Sequence, residues 1–299
     1  MENCIYQGKT ICTYDLKDNS GYYYENLVLD WKQAAADRLL HCAECGAPVY
    51  LAAGLIKEPY FAHYDLEDCE YGSGQESEEL KKGKRLLYQL LKRSFPSADI
   101  RARFRMGNGM YSTLYCILED GRSFAADYRL QNNSLDKFRE RDNYHQVNHV
   151  KPIYVMGKKQ EKDTKQIDWY QSLIQTSQGY LIFLEAAIER ITLKKSFGYR
   201  LGNERSFRYC CKSYPIQEIA FSEEGSVICD FTSVCDDIER QIQDEKIQYI
   251  RRKEQMKRLQ EESLQGLNPI ILEKCRKMIE EGNGHLVSKK YYEAIIGNQ

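Results

Sequence analysis

Three thiols and one imidazole stand close enough along this chain to hold a single metal ion. Cys42-x2-Cys45 is followed, after seventeen residues, by His63-x5-Cys69. Zinc takes four soft or borderline ligands at tetrahedral corners, and a Cys-x2-Cys turn presents two of them to the same ion. Gly46, directly after Cys45, suits such a turn because it carries no Cβ to clash. Val49-Tyr50-Leu51 and Pro59-Tyr60-Phe61-Ala62 read as two strands of a hairpin that returns His63 to the first pair. Four protein ligands close the shell, so the expected Zn2+ is structural. His41 is a substitute fourth ligand, and buried free thiols around a core histidine are the plain alternative. Cys210, Cys211, Cys229 and Cys235 form a second group, but adjacent cysteines chelate poorly, so ordinary buried thiols are the expectation there.

Composition bounds what surrounds this constellation. The 299 residues are 42% hydrophobic and 29% charged, with a formal net charge of −1. That is a soluble globular balance with room for two or three domains. The opening MENCIYQGKTICTYDL has no basic stretch leading into an apolar run, and no apolar stretch approaches membrane length. A cytoplasmic protein with no membrane association is expected, its eleven cysteines reduced or metal-bound. The near-neutral total hides a local excess: from Lys81 to Arg105 there are nine basic residues against one acid, Asp99. Lys81, Lys82, Lys84 and Arg85, with Arg101, Arg103 and Arg105 alternating along a strand, could contact phosphates. Tyr22, Tyr23, Tyr24, Tyr111 and Tyr115 could stack on unpaired bases. A solvated charged face with half-buried tyrosines explains the same residues.

The elements that would position these groups form an α+β chain. Short strands flank Gly8, a polar turn covers 17–21, and a helix or extended run ends near Leu40. A loop at 70–74 leads to a helix over 75–93, capped by Ser73-x-x-Glu76 and carrying the apolar stripe Leu80, Gly83, Leu87, Leu90 and Leu91. Alternating segments at 100–106, 111–118 and 123–131 follow, the last two joined by Glu119-Asp120-Gly121-Arg122, a strong hairpin signal. A polar helix over 135–148 precedes a buried strand at 152–157. Helix, three strands, helix, strand is therefore the order of the middle region. Beyond it we expect a helix over 162–176, strands within 180–197 and a hairpin at Glu223-Glu224-Gly225. A long charged helix over 236–264 has a narrow apolar seam of Ile238, Ile242, Ile247, Ile250 and Met256, suited to docking a protein partner. Gly266–Pro269 breaks it before a last helix over 270–281. Domain limits at 1–72, 73–200 and 201–299 fit this plan: strands with a zinc finger, an α/β core, and a β hairpin with helices.

Cys42-Ala43-Glu44-Cys45-Gly46-Ala47-Pro48-Val49 with Tyr60-Phe61-Ala62-His63 resembles the zinc-finger opening of competence protein CoiA-like proteins. The resemblance extends to Glu76-Ser77-x-x-Leu80-x3-Lys84, Leu130-Gln131-Asn132-Asn133-Ser134, Phe138-x-Glu140-Arg141-x2-Tyr144 and Ile153-Tyr154-Val155-Met156-Gly157, covering about residues 1–160 in order. It implies a zinc-ribbon-like finger joined to a restriction-endonuclease-like PD-(D/E)XK core, and a role in processing or recombining DNA, single-stranded DNA above all, or in defence. Such a nuclease holds Mg2+ between an acid on one strand and a second acid two residues before a Lys or Gln on the next. Carried onto this sequence, Glu76, Asp127 and Gln131 are the candidate catalytic residues. The pattern is incomplete. With Gln131 as the glutamine, its partner acid falls on Arg129, and Asp127 would have to substitute from the same strand face. The strand at 111–118 offers Thr113 and Cys116 where an acid is needed, and Leu80 replaces a histidine. Two functions follow: a DNA-binding protein whose nuclease core is active or vestigial, or a zinc-containing structural subunit of a larger bacterial complex. A zinc-dependent regulatory module is a third.

Overall fold

The computed structural model describes residues 1–299 except 19, 55–56, 66–68, 70–75, 163–165, 265 and 297–299, and except the side chains of 260–264. The chain divides into two compact units, one of residues 1–197 and 207–235, the other of 198–206 and 236–299.

The first unit begins with β1 (Asn3–Tyr6) and β2 (Lys9–Cys12), antiparallel about Gly8, then α1 (Glu25–Ala36) and β3 (Leu40–His41), which pairs with β1. β4 (Val49–Ala52) and β5 (Tyr60–His63) form the expected hairpin, with Val49 opposite His63. Trp31, Leu40, Val49, Leu51 and Phe61 close a small apolar core between α1 and this hairpin. Burial of such large side chains is worth about 1.5–3 kcal/mol each, enough to hold a module this small only with help.

The middle region has the expected order. α2 (Glu78–Ser94) leads to β6 (Asp99–Arg105), β7 (Tyr111–Ile117) and β8 (Ser123–Arg129), then α3 (Leu135–Val147) and β9 (Val150–Gly157). β6, β7 and β8 form an antiparallel meander, and β9 returns parallel to β8. α4 (Trp169–Gln178), β10 (Leu181–Glu185), β11 (Arg190–Leu201) and β12 (Glu204–Pro215) extend the sheet to seven strands, ordered β12-β11-β10-β9-β8-β7-β6. β8 lies inside the sheet between β9 and β7, and its five inner residues are buried. On one face Tyr128 fits against α2 at Gly83, where an added Cβ would come within 2.1 Å of the ring. Asp127 points to the other face, toward α3.

Several boundaries differ from expectation. α2 starts at Glu78, because Ser77 is its cap: its Oγ accepts the Leu80 N–H at 3.2 Å. Ser73, Gln75 and the loop at 70–74 lie outside the described residues. β8 stops at Arg129, so Gln131 lies beyond the strand, exposed. α4 begins seven residues later than expected, where Asp168 supplies the cap and accepts from Gln171 N at 2.9 Å. β13 (Ala220–Phe221) and β14 (Val227–Ile228) make the hairpin expected around Gly225. α5 (Phe231–Leu264) starts five residues before the expected 236.

The second unit contains most of α5, then α6 (Pro269–Glu280), capped by Asn268, and α7 (Lys289–Ile296), which was not expected. Within this unit Tyr199 Oη donates to Glu245 at 2.6 Å. No helix among the described residues is long and apolar enough to cross a membrane.

Candidate metal centre and the Asp127 cluster

The Cys42–Cys45 turn is a tight knuckle. Cys42 N donates to Ala47 O at 2.8 Å and Gly46 N to Cys42 O at 3.0 Å, with Gly46 at φ +73°, where a side chain would be strained. Glu44 N points at Cys42 Sγ (3.4 Å), which stabilises a thiolate there. The β4–β5 ladder then carries His63 to the turn, and Cys69 follows from the chain beyond β5.

The four ligand atoms of Cys42, Cys45, His63 and Cys69 all lie within 4.8 Å of one another. Cys42 Sγ is 3.9 Å from Cys69 Sγ, and Cys45 Sγ is 3.3 Å from His63 Nε2. With Zn–S of about 2.3 Å and Zn–N of about 2.0 Å, a tetrahedral site has S···S edges of about 3.8 Å and S···N edges of about 3.5 Å. The set fits a metal ion such as Zn2+ in both chemistry and size. Burial pushes the Cys42 thiol up to about 11, so in the absence of a cation it holds its proton, while a coordinated metal removes it outright. His41 is not part of this set: its Nδ1 is 3.1 Å from Gly46 O.

The basic stretch is built differently from its composition. Lys81 pairs with Glu78 (2.8 Å), Lys82 with Glu189 (3.2 Å), Arg85 with Glu58 (3.4 Å) and Arg101 with Asp99 (2.6 Å). Lys84 is buried between Glu2 (3.1 Å) and Glu76 (2.5 Å). Burial alone would push the Glu2 carboxyl up, but Lys84 holds it below the usual carboxylate range. Thus acids pair with five of the seven expected phosphate-binding cations, and for Lys82, Lys84 and Arg85 an acid comes from a segment distant in sequence. Arg103 lies over the Tyr111 ring at 5.2 Å, and Arg105 is exposed. Of the tyrosines, Tyr22 and Tyr24 are exposed, Tyr23 donates to Gly54 O, and Tyr115 is stacked on Phe104 at 4.3 Å.

Asp127 is the most enclosed of the candidate catalytic groups, 1% exposed. Its Oδ2 accepts from Arg141 Nη1 at 2.7 Å, its Oδ1 accepts from Thr113 N at 3.0 Å, and Arg129 Nη2 lies 3.7 Å from Oδ1. The β7–β8 ladder stops at Leu114–Ala126, and Asp127 takes up the Thr113 N–H that the next rung would have used. Thr113 Oγ1 in turn accepts from Tyr128 N at 3.1 Å. Arg141 also donates to Tyr111 O at 3.0 Å. Glu76 is tied instead to Lys84 of α2, the helix on the opposite face of β8, and Gln131 is exposed. Among the described residues no hydrogen bond or ion pair joins Glu76, Asp127 and Gln131.

Around Asp127, Phe138 and Arg141 stood in the sequence resemblance without a role, and His145 was not singled out. Phe138, Arg141 and His145 are the buried face of α3, at helical spacing within a segment that looks polar throughout. His145 is 1% exposed, lacks a partner for either ring nitrogen, and lies 6.4 Å from the Tyr154 ring centroid. Burial lowers its pKa below the usual histidine value, and Arg141 opposes the contrary pull of Asp127. The i, i+3, i+7 spacing was the available signal.

No curated protein and no solved structure matches the chain. Residues 30–72, the segment that holds the second half of α1, the knuckle and the β4–β5 hairpin, match the family model of the competence protein CoiA N-terminal domain, and over that segment the chain is similar to it.

Proposed function

We propose that this is a CoiA-like protein of DNA processing whose restriction-endonuclease-like core binds DNA without cutting it, and whose zinc knuckle is structural. The match over 30–72 supports the DNA-processing context. The succession α2, antiparallel β6-β7-β8, α3 and parallel β9 is the arrangement that the resemblance implies for a nuclease core. One observation carries the non-cleaving reading: Asp127, the one acid on β8, is neutralised by Arg141 at 2.7 Å and faced by Arg129 at 3.7 Å. A Mg2+ ion needs several free oxygens at about 2.1 Å, and β7 supplies no second carboxylate. Arginine here occupies both the space and the charge of the ion.

The DNA ligand is single-stranded in this reading, with Tyr22 and Tyr24 as stacking groups and Arg103 and Arg105 as phosphate contacts. Fluorescence anisotropy of a short labelled single strand should show binding whose affinity falls steeply between low and physiological salt. Arg105→Ala should weaken it without altering fold. No binding at low salt would overturn the DNA reading.

A second reading has its own support. Ile247, Ile250, Met256 and Leu259 are exposed apolar residues on the otherwise charged α5, which suits a protein partner. If DNA binding is absent, α5 as a docking helix of a structural subunit becomes the working function. Ile250→Asp should then abolish assembly and leave the thermal midpoint unchanged.

A further inference from the structure

Cys210 on β12 and Cys235 near the start of α5 bring their Sγ atoms to 2.8 Å. Both are nearly inaccessible, at 3% and 5%. This separation is far shorter than the 3.9 Å between Cys42 and Cys69, whose sulfurs are spaced to share an ion. It is less than 1 Å from the covalent S–S length of about 2.04 Å. The neighbouring cysteines do not complete a metal shell. Cys211 is exposed and directs its Sγ toward Glu161 at 3.7 Å, and the grouped metal ligands among the described residues are those of the N-terminal knuckle alone.

A second set of contacts already braces the same two segments. Asp230, just before α5, binds both Lys212 and the Tyr214 hydroxyl (2.7 Å), residues that follow Cys210 on β12. Closing the bond therefore asks for a small side-chain movement and no backbone rearrangement.

We propose that Cys210 and Cys235 form a reversible disulfide under a two-electron oxidant, either hydrogen peroxide or a small-molecule disulfide. With peroxide, the two thiols lose two protons and two electrons, the S–S bond forms, the O–O bond breaks and two waters leave. With a small disulfide, one thiolate attacks it, the mixed disulfide is resolved by the second cysteine, and two small thiols are released. The bond encloses residues 211–234, including β13 and β14, and removes conformational freedom from the unfolded chain.

The test is differential alkylation and peptide mapping of the full chain after treatment with oxidised glutathione. Tryptic cleavage after Arg208, Lys212 and Arg240 places Cys210 with Cys211 and Cys229 with Cys235, so the assignment uses a Cys211→Ser/Cys229→Ser protein. The expected result is a mass loss of about 2 Da and a linked peptide pair carrying Cys210 and Cys235, both reversed by dithiothreitol. Oxidation should raise the thermal midpoint by on the order of 5 °C in this protein and leave Cys210→Ser unchanged. If both thiols remain fully alkylatable after oxidation and unfolding, the proposal fails. It fails equally if zinc analysis finds a second equivalent per chain that Cys210→Ser loses.

Discussion

The candidate metal knuckle and the Asp127 cluster are both convergences of ligand-type side chains, yet they differ in what neutralises them. At the knuckle, three sulfurs and an imidazole face one another with no cation from the protein among them. At Asp127, the carboxylate meets two guanidiniums and a backbone N–H, so its charge and hydrogen-bonding capacity are met from within. A site that lacks internal counter-charge is completed by an ion. A site that has it is already complete. The proximity of ligand residues is therefore a weaker guide to metal binding than what neutralises them.

Substitutions can break this contrast, and the largest effect should fall on the knuckle. Cys42→Ser is expected to take bound zinc from one equivalent per chain to none, and to unfold α1 and the β4–β5 hairpin. Metal analysis and circular dichroism would check it, since a structural zinc contributes about 10 kcal/mol or more of apparent folding energy. Retention of a full zinc equivalent would contradict it.

Arg141→Ala comes next. It leaves Asp127 buried with the Thr113 N–H and the more distant Arg129, and should cost about 3 kcal/mol in urea unfolding. A loss under about 1 kcal/mol would mean that the pair is less enclosed than it looks. Gly83→Ala should cost about 1–3 kcal/mol, since the new methyl meets the Tyr128 ring packed between α2 and β8. Asn3→Ala should cost about 1–2 kcal/mol, because the Asn3 amide serves both the N–H and the C=O of Ala102 and so joins β1 to the edge of β6.

The smallest effect concerns pH. His145 is buried neutral with its pKa lowered, while in the unfolded chain it titrates near about 6.5. Its contribution is thus fully present above the unfolded value and is lost as pH falls from there through the folded value, because the unfolded chain binds the proton first. Stability curves of wild type and His145→Gln should run parallel above about pH 7 and converge below about pH 6. Parallel curves throughout would remove His145 from the account.

Much of this was legible in the chain itself. Cys-x2-Cys with a returning His and Cys is short-range and chemically specific, so the knuckle and its hairpin could be read residue by residue. The order of helices and strands in the middle region could be read from apolar period and from Asp120-Gly121. The partners of charged residues could not. Lys84 finds Glu2, Arg85 finds Glu58 and Lys82 finds Glu189 only once the fold brings distant segments together. A local run of lysines and arginines therefore overstated the free positive surface. The burial of Arg141, a residue the resemblance had named, escaped for a related reason: a polar residue on a polar helix gives no sign of burial unless its spacing with Phe138 and His145 is counted. Ser77 caps α2, a cap position the sequence did not single out, because the choice among neighbouring cap residues is a small energy that spacing does not decide.

In the proposed function, arginine stands at Asp127 where a nuclease would hold its catalytic cation. The most direct measurement is cleavage of single- and double-stranded DNA by the wild-type protein and by Asp127→Ala, in Mg2+ and in Mn2+, with zinc kept at one equivalent. No cleavage above background by either protein is the expected result. Metal-dependent cleavage by wild type that Asp127→Ala abolishes would contradict it.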